Sequence, residues 1–309
     1  MKSGSNLEKV LTAGHFAVTG ECGPPRSSDV SVVRHKAQFL KGNVDSVNVT
    51  DNQTSVVRMS SLAASLILQQ EGVEPNMQMV CRDRNRIAIQ SDILGACALG
   101  IKNLLCLSGD HQKFGDHPSS KNVYDLDSLQ LIQTVKQMRD ERKLLSGQEM
   151  PAGSEPRLFI GAAANPFADP FDFRVHRLAK KAAAGVDFVQ TQCIYNMPKF
   201  REFIKRAVDL GVHEKTYIMA GITPMKSFAM ARYMKNFVPG MDVPDDVIER
   251  MKGTKKELQA AEGIKIAVEQ IQEMKEMKGV AGVHLMLIEW EERVPEITKA
   301  AGLLPRPVV

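Results

Sequence analysis

The 309-residue chain is 43% hydrophobic, enough to bury one large core or two medium ones, and its 40 basic and 36 acidic residues leave a formal charge of only +4. With no long basic tract, that balance lends no electrostatic support to nucleic-acid binding or membrane insertion and points to a small-molecule partner. Five cysteines (Cys22, Cys81, Cys97, Cys106, Cys193) without C-x-x-C spacing argue against a disulfide framework, and Met1 to Asn6 lacks an apolar signal core, so a cytoplasmic protein is expected.

In chain order, short apolar runs alternate with segments of helical period. Strands are expected at Phe16 to Glu21, Val44 to Thr50, Met77 to Cys81, Asn103 to Leu107, Leu158 to Ala162, Phe188 to Thr191, Tyr217 to Ala220 and Gly282 to Leu287. Between them, Val30, Val33, Ala37 and Leu40 share one helical face, as do Met59, Leu62, Ala63, Leu66 and Ile67. Asp29 and Asn196 sit at N-caps, the second with Pro198 in the first turn, and Gly72 and Gly100 close two helices. Leu144 to Pro156 and Asn236 to Gly253 read as surface excursions. Eight such repeats predict a single-domain (β/α)8 TIM barrel over residues 1–309; an open doubly wound sheet would have fewer strands and a Gly-rich first turn, and neither G-x-G-x-x-G nor G-x-x-x-x-G-K-[ST] occurs.

Chemistry in a barrel collects at the C-terminal strand ends. The first strand ends in Glu21, held by the Pro24-Pro25 turn that forbids helix and ladder alike. Asp110 follows the fourth strand and Gln192 the sixth, while Gly109 and Ala163-Ala164 permit close backbone approach by a flat ligand. No lysine ends a strand, which argues against a Schiff-base aldolase. His111 and His117, flanking Asp116, fit a solvated lid better than a metal site, so no metal is expected. Two carboxylates, an amide and small residues suit an acid-assisted step on a flat ligand.

These motifs resemble the methylenetetrahydrofolate reductase family over almost the whole chain. Glu21-Cys22-Gly23-Pro24-Pro25-Arg26, Val47-Asn48-Val49-Thr50, Leu107-Ser108-Gly109-Asp110, Ala184-Gly185-Val186-Asp187 leading to Thr191-Gln192, and Gly221-Ile222-Thr223-Pro224 carry the resemblance in order. It implies a flavin barrel that reduces 5,10-methylenetetrahydrofolate to 5-methyltetrahydrofolate. Glu21 would protonate N10 of the folate, Asp110 would stabilise the cationic iminium, Gln192 would bind the pterin, and Thr50 and Tyr124 would contact the flavin, with Gly109, Asp110, Ala163 and Asn165 completing the cofactor site.

Ser108 and Gln78 stand where bacterial relatives carry Arg and His, and Arg174 and Arg177 replace Asp and Asn, with Lys181 retained, at positions that hold the distal half of FAD. FMN is therefore favoured, with FAD on the Arg174, Arg177 and Lys181 cluster as the alternative. Met234 and Met286 stand where aromatic groups sandwich nicotinamide and pterin, leaving the electron donor open between NAD(P)H and a partner electron-transfer protein. The resemblance is closest to the form found in acetogenic one-carbon metabolism (the Wood-Ljungdahl pathway), which implies a small zinc-containing partner subunit; a homo-oligomer is also compatible. Two other readings stay open: a non-catalytic flavin- or folate-binding subunit, and a barrel acting on a phosphorylated substrate, which Glu289 and Glu291 disfavour by repulsion.

Overall fold

Apolar runs of strand length joined by helices leave a parallel sheet with both faces covered as the arrangement that satisfies every backbone group. The computed structural model describes residues 1–309. Its strands are β1 (Ala17–Cys22), β2 (Ser46–Val49), β3 (Pro75–Val80), β4 (Asn103–Leu107), β5 (Phe159–Ala164), β6 (Phe188–Cys193), β7 (Tyr217–Ile222) and β8 (Gly282–Leu285). They pair in parallel in chain order, and β8 closes on β1 through Ala17 opposite Gly282, Val18 opposite Val283 and Thr19 opposite His284. The fold is a (β/α)8 barrel, with all eight expected strands present.

The helices are α1 (Asn6–Thr12), α2 (Val30–Leu40), α3 (Ser61–Gln70), α4 (Arg86–Ala98), α5 (Ser128–Asp140), α6 (Phe171–Ala184), α7 (Met197–Asp209), α8 (Phe228–Phe237), α9 (Asp245–Gly253), α10 (Gln259–Lys275) and α11 (Val294–Ala300). Asp29 caps α2 by accepting from the Ser31 amide at 2.9 Å, and Asn196 caps α7 by accepting from Lys199 at 3.0 Å. Gly72 and Gly100 take the left-handed conformation after α3 and α4.

Three readings differ from the sequence expectation. In α3 the buried face is Ser61, Ala64, Ser65 and Leu68, while Met59, Leu62, Leu66 and Ile67 pack more peripherally. The helix is apolar on most sides, so its small side chains decide the approach: Ser61 Oγ donates to the Gln78 carbonyl at 2.8 Å, drawing α3 onto β3. Val30, placed on the inner face of α2, is 37% exposed because it follows the cap. The excursion from Asn236 to Gly253 contains α9, so three helices instead of one separate β7 from β8.

The barrel interior is divided along its axis. At the N-terminal end, Leu7, Val10 and Leu11 of α1 plug the opening against Ala17, Leu105, Phe159, Phe188 and Met219. Phe159 and Phe188 stack with centroids 5.2 Å apart. Gly161 is required there, because a Cβ would lie 2.4 Å from Phe188 Cζ and 2.7 Å from Leu105 Cδ1. Above this plug the inward positions turn polar.

Candidate active site

Strand side chains alternate between the two faces, so the inner residues of β1, β2, β6 and β8 include Thr19 and Glu21, Asn48 and Thr50, Gln190 and Gln192, and His284 and Met286. Thr19, Asn48, Gln190 and His284 are buried and hydrogen-bonded to one another across the barrel. This layer is the floor of a cavity of about 300 Å³ at the C-terminal end. Glu21 rises from β1 into it, its side chain 11% exposed, with Oε2 3.7 Å from His284 Nε2. Glu21 also borders a back cavity of about 70 Å³ with Lys36, Gln53, Arg58 and Glu289.

The Pro24-Pro25 turn after Glu21 is tied on both sides. The Pro24 carbonyl accepts from Arg58 Nη1 at 2.9 Å and the Pro25 carbonyl from the Met59 amide at 2.9 Å. Lys36 Nζ donates to Glu291 at 2.7 Å and to the Gly23 carbonyl at 3.3 Å. Burial opposes its charge, but the Glu291 hydrogen bond and carboxylate outweigh burial and hold the ammonium above its usual range.

Across the cavity, Asp110 is carried by the loop after β4. Its backbone carbonyl accepts from Ser55 Oγ at 2.8 Å and from Arg82 Nη1 at 3.0 Å, and Arg82 Nη1 also donates to Ser55 Oγ at 2.8 Å. Arg82 itself is held by Asp83, whose hydrogen bond keeps the guanidinium above its usual range. Gly115 presses the same two loops together, since a Cβ there would lie 1.8 Å from the Ser55 carbonyl oxygen. Five of the six non-glycine residues with left-handed φ lie in loops over this end: Asn52, Thr54, Ser55, Tyr124 and Glu289. Strain of order 1–3 kcal/mol each is tolerated where the surroundings over-determine the backbone, as at a functional site.

A second cavity, of about 210 Å³, adjoins the first and shares Leu107, Ser108, Ala163 and Gln192 with it. Arg174, Arg177 and Lys181 of α6 and Asn165 line its other side. Lys181 Nζ donates to the Ala163 carbonyl, and burial, reinforced by the neighbouring Arg177 charge, lowers its pKa to about 8. Arg174 turns towards the carbonyls of Ala168 and Asp169.

The sequence-predicted residues Glu21, Thr50, Gln78, Ser108, Gly109, Asp110, Ala163, Gln192 and Met286 all line the main cavity, and Asn165, Arg174, Arg177 and Lys181 the adjoining one. Two stand apart. Tyr124 sits on the rim, its hydroxyl 3.3 Å from the Gly109 carbonyl, and Met234 is buried in a satellite core with Cys193, Tyr195, Met225 and Met251. Sequence reasoning missed His284, Asn48, Gln190, Thr19 and Arg82. A signal existed for the first four: polar residues two positions before a strand-end candidate, at inward positions of otherwise apolar strands. No group of three His, Cys, Asp or Glu side chains has the geometry to hold a metal ion. No helix is long and apolar enough to cross a membrane.

The family profile described as methylenetetrahydrofolate reductase matches residues 6–302. The chain belongs to the methylenetetrahydrofolate reductase family. It is 24% identical over 260 residues to methylenetetrahydrofolate reductase 2 of Schizosaccharomyces pombe, covering 82% of this chain and 39% of the yeast protein. It is 22% identical over 258 residues to a probable methylenetetrahydrofolate reductase (NADPH) of Caenorhabditis elegans, covering 82% and 36%. The chain thus spans well under half the length of these relatives. Among solved structures it is similar, with a TM-score of 0.64 and 13% identity over 97% of both chains, to a Clostridium thermocellum protein described as binding two copies of 5-methyl-5,6,7,8-tetrahydrofolic acid. At that identity the likeness speaks to the fold.

Proposed function

We propose that this chain is a flavin-dependent reductase that converts 5,10-methylenetetrahydrofolate to 5-methyltetrahydrofolate. The observation that carries this reading is the convergence of Glu21, Asp110 and Gln192 on one cavity joined to a second, cationic cavity, in a chain of this family. The methyl-tetrahydrofolate bound by the Clostridium thermocellum protein is the product this reaction would release.

The residues fit a flavin. Thr50 Oγ1 is buried without a hydrogen-bond partner on the cavity wall, where a ligand atom would satisfy it. Gly109, with φ of +88°, keeps the wall flat; a Cβ there would lie 3.0 Å from Val80 Cβ. Arg177 and Lys181 supply positive charge for a phosphate, and the two adjoining cavities suit the ring and the ribityl phosphate of FMN. A reduced flavin held there supplies the hydride.

The chain's own groups do the rest. Glu21 gives its proton to N10 of the folate, the bond between N10 and the methylene carbon breaks, and the resulting N5 iminium accepts the hydride as a methyl group. The Asp110 carboxylate stabilises the cationic iminium, and the Gln192 amide orients the pterin. Each turnover consumes one hydride and one proton, the latter restored to Glu21 from solvent. Reducing equivalents come from NAD(P)H or from a partner electron-transfer protein.

The deciding experiment is the absorption spectrum of the purified chain, with release and chromatography of the chromophore, followed by anaerobic mixing of reduced protein with methylenetetrahydrofolate. Flavin bands that reoxidise on adding folate are expected. A chain that binds neither FMN nor FAD overturns the reading.

A further inference from the structure

The imidazole beneath Glu21 has a polar partner at each ring nitrogen. His284 is 3% exposed on the inner face of β8. Asn48 Oδ1 accepts from Asn76 Nδ2 at 2.6 Å and from Gln190 Nε2 at 3.2 Å, an amide orientation that turns Asn48 Nδ2 towards Gln190 Oε1 at 2.6 Å and His284 Nε2 at 3.3 Å. An amide nitrogen has only hydrogens to offer, so Nε2 carries a lone pair. The ring proton is then on Nδ1, donated to Thr19 Oγ1 at 3.0 Å, an oxygen that also accepts from Gln190 Nε2 at 2.9 Å.

The same nitrogen lies near a carboxyl, which shares its single lone pair only by displacing Asn48 Nδ2. Nε2 and Glu21 Oε2 are 3.7 Å apart, and a shift of about 1 Å brings them to hydrogen-bond distance. An unprotonated carboxylate against an imidazole lone pair is repulsive, whereas one proton shared between them is attractive, so the pair favours holding a single proton. Resting on the reading of Glu21 as the acid, we propose that His284 is its positioning residue. The two side chains form a one-proton pair that stores the proton at the cavity floor until folate N10 takes it from Glu21.

Around the ring, Thr19 of β1, Asn48 of β2, Gln190 of β6 and Gly221, opposite on β7, are all uncharged. Charges face the pair from the Glu21 side: Asp51, Arg82 and Asp110 around the main cavity, and Lys36, Arg58, Glu289 and Glu291 around the back cavity. The Cys193 thiol of β6, its pKa pushed up to about 11 by burial, stays neutral beside Glu21. The back cavity gives Glu21 a second border from which solvent returns the proton after transfer.

The test has two arms. In the full ligand-free chain, imidazole 15N spectra, assigned by difference with His284→Asn, should show Nε2 of His284 unprotonated and Nδ1 protonated at neutral pH. Glu21→Gln should lower the pH at which His284 gains its second proton. A protonated Nε2 in the neutral ring, or a titration indifferent to Glu21→Gln, overturns the proposal. In the flavin-loaded protein, His284→Asn should slow anaerobic reoxidation by methylenetetrahydrofolate about tenfold at neutral pH and move its alkaline decline about one pH unit lower, with flavin content and flavin reduction unchanged. An unaltered pH profile counts against the pair. Should His284→Asn fold poorly, His284→Gln serves for the same assignment and the same kinetic comparison, with the same outcomes deciding. If the wild-type protein fails to react with folate, the reductase reading falls, while the 15N arm still decides whether the pair exists.

Discussion

The two ends of the barrel interior are built from opposite chemistry on the same eight strands. Around Phe159 and Phe188 the plug contributed by β1, β4, β5, β6 and β7 is apolar and sealed by α1; nearer the C-terminal end, β1, β2, β6 and β8 contribute Thr19, Asn48, Gln190 and His284, joined by hydrogen bonds, with Glu21 and Gln192 above. The lower layer draws its stability from dispersion and area removed from water. The upper layer gives up that area for fixed hydrogen-bond directions, which is what a proton-transfer site needs. Substitutions below should therefore cost stability and spare the chemistry, and substitutions above should do the reverse.

The largest expected effect lies above. Glu21→Gln should retain flavin and its reduction but lose turnover of methylenetetrahydrofolate by about 10²- to 10⁴-fold, read by single-turnover reoxidation. Its melting temperature should stay near that of the wild type; a large drop would mean that the upper layer is also structural. Below, Phe188→Ala should cost about 3–5 kcal/mol in denaturant unfolding while the surviving folded protein keeps its rate per bound flavin. Loss of rate in that variant would break the division between layers. Asp110→Asn should slow folate reduction about tenfold or more and flavin reduction less; equal slowing would place Asp110 on the flavin. The smallest effect concerns Lys181, whose pKa is lowered to about 8. Binding of an anionic phosphate favours its charged form, so affinity for FMN should be full below that pH and fall severalfold as pH rises through about 8. Equilibrium titration of the apoprotein with FMN checks this, and Lys181→Met should flatten the profile.

Much of this was legible in the sequence, and for a physical reason. Parallel strands buried on both faces must be apolar runs, and these stand out at all eight positions, which is enough to put Glu21, Asp110 and Gln192 at or just beyond strand ends. The same uniformity hid other features. In α3, apolar residues on most sides left no single stripe, and the small residues Ser61, Ala64 and Ser65 won the barrel-facing side by permitting closer approach. The family resemblance puts Met234 at the substrate, where an aromatic group would stand, yet α8 turns it into a core of its own. His284 lies within an ordinary strand, and only the closure of β8 on β1 brings it under Glu21, 263 positions earlier. Arg82 was read as part of a charged run; its contacts with Asn52, Ser55 and Asp110 depend on loops that sequence spacing does not relate.

Those loops carry a lesson for building chimeras. Gly115 meets the Ser55 carbonyl with no room for a side chain, and Arg82 bonds both segments, so the loops after β2 and β4 are one interlocking part made from two pieces of chain. A graft that imports the Asp110 loop from a relative without its Ser55 counterpart would drive backbone into backbone. Recombination at this end of the barrel should succeed when the two loops travel together, with residue 82 kept as Arg, and fail when either is exchanged alone.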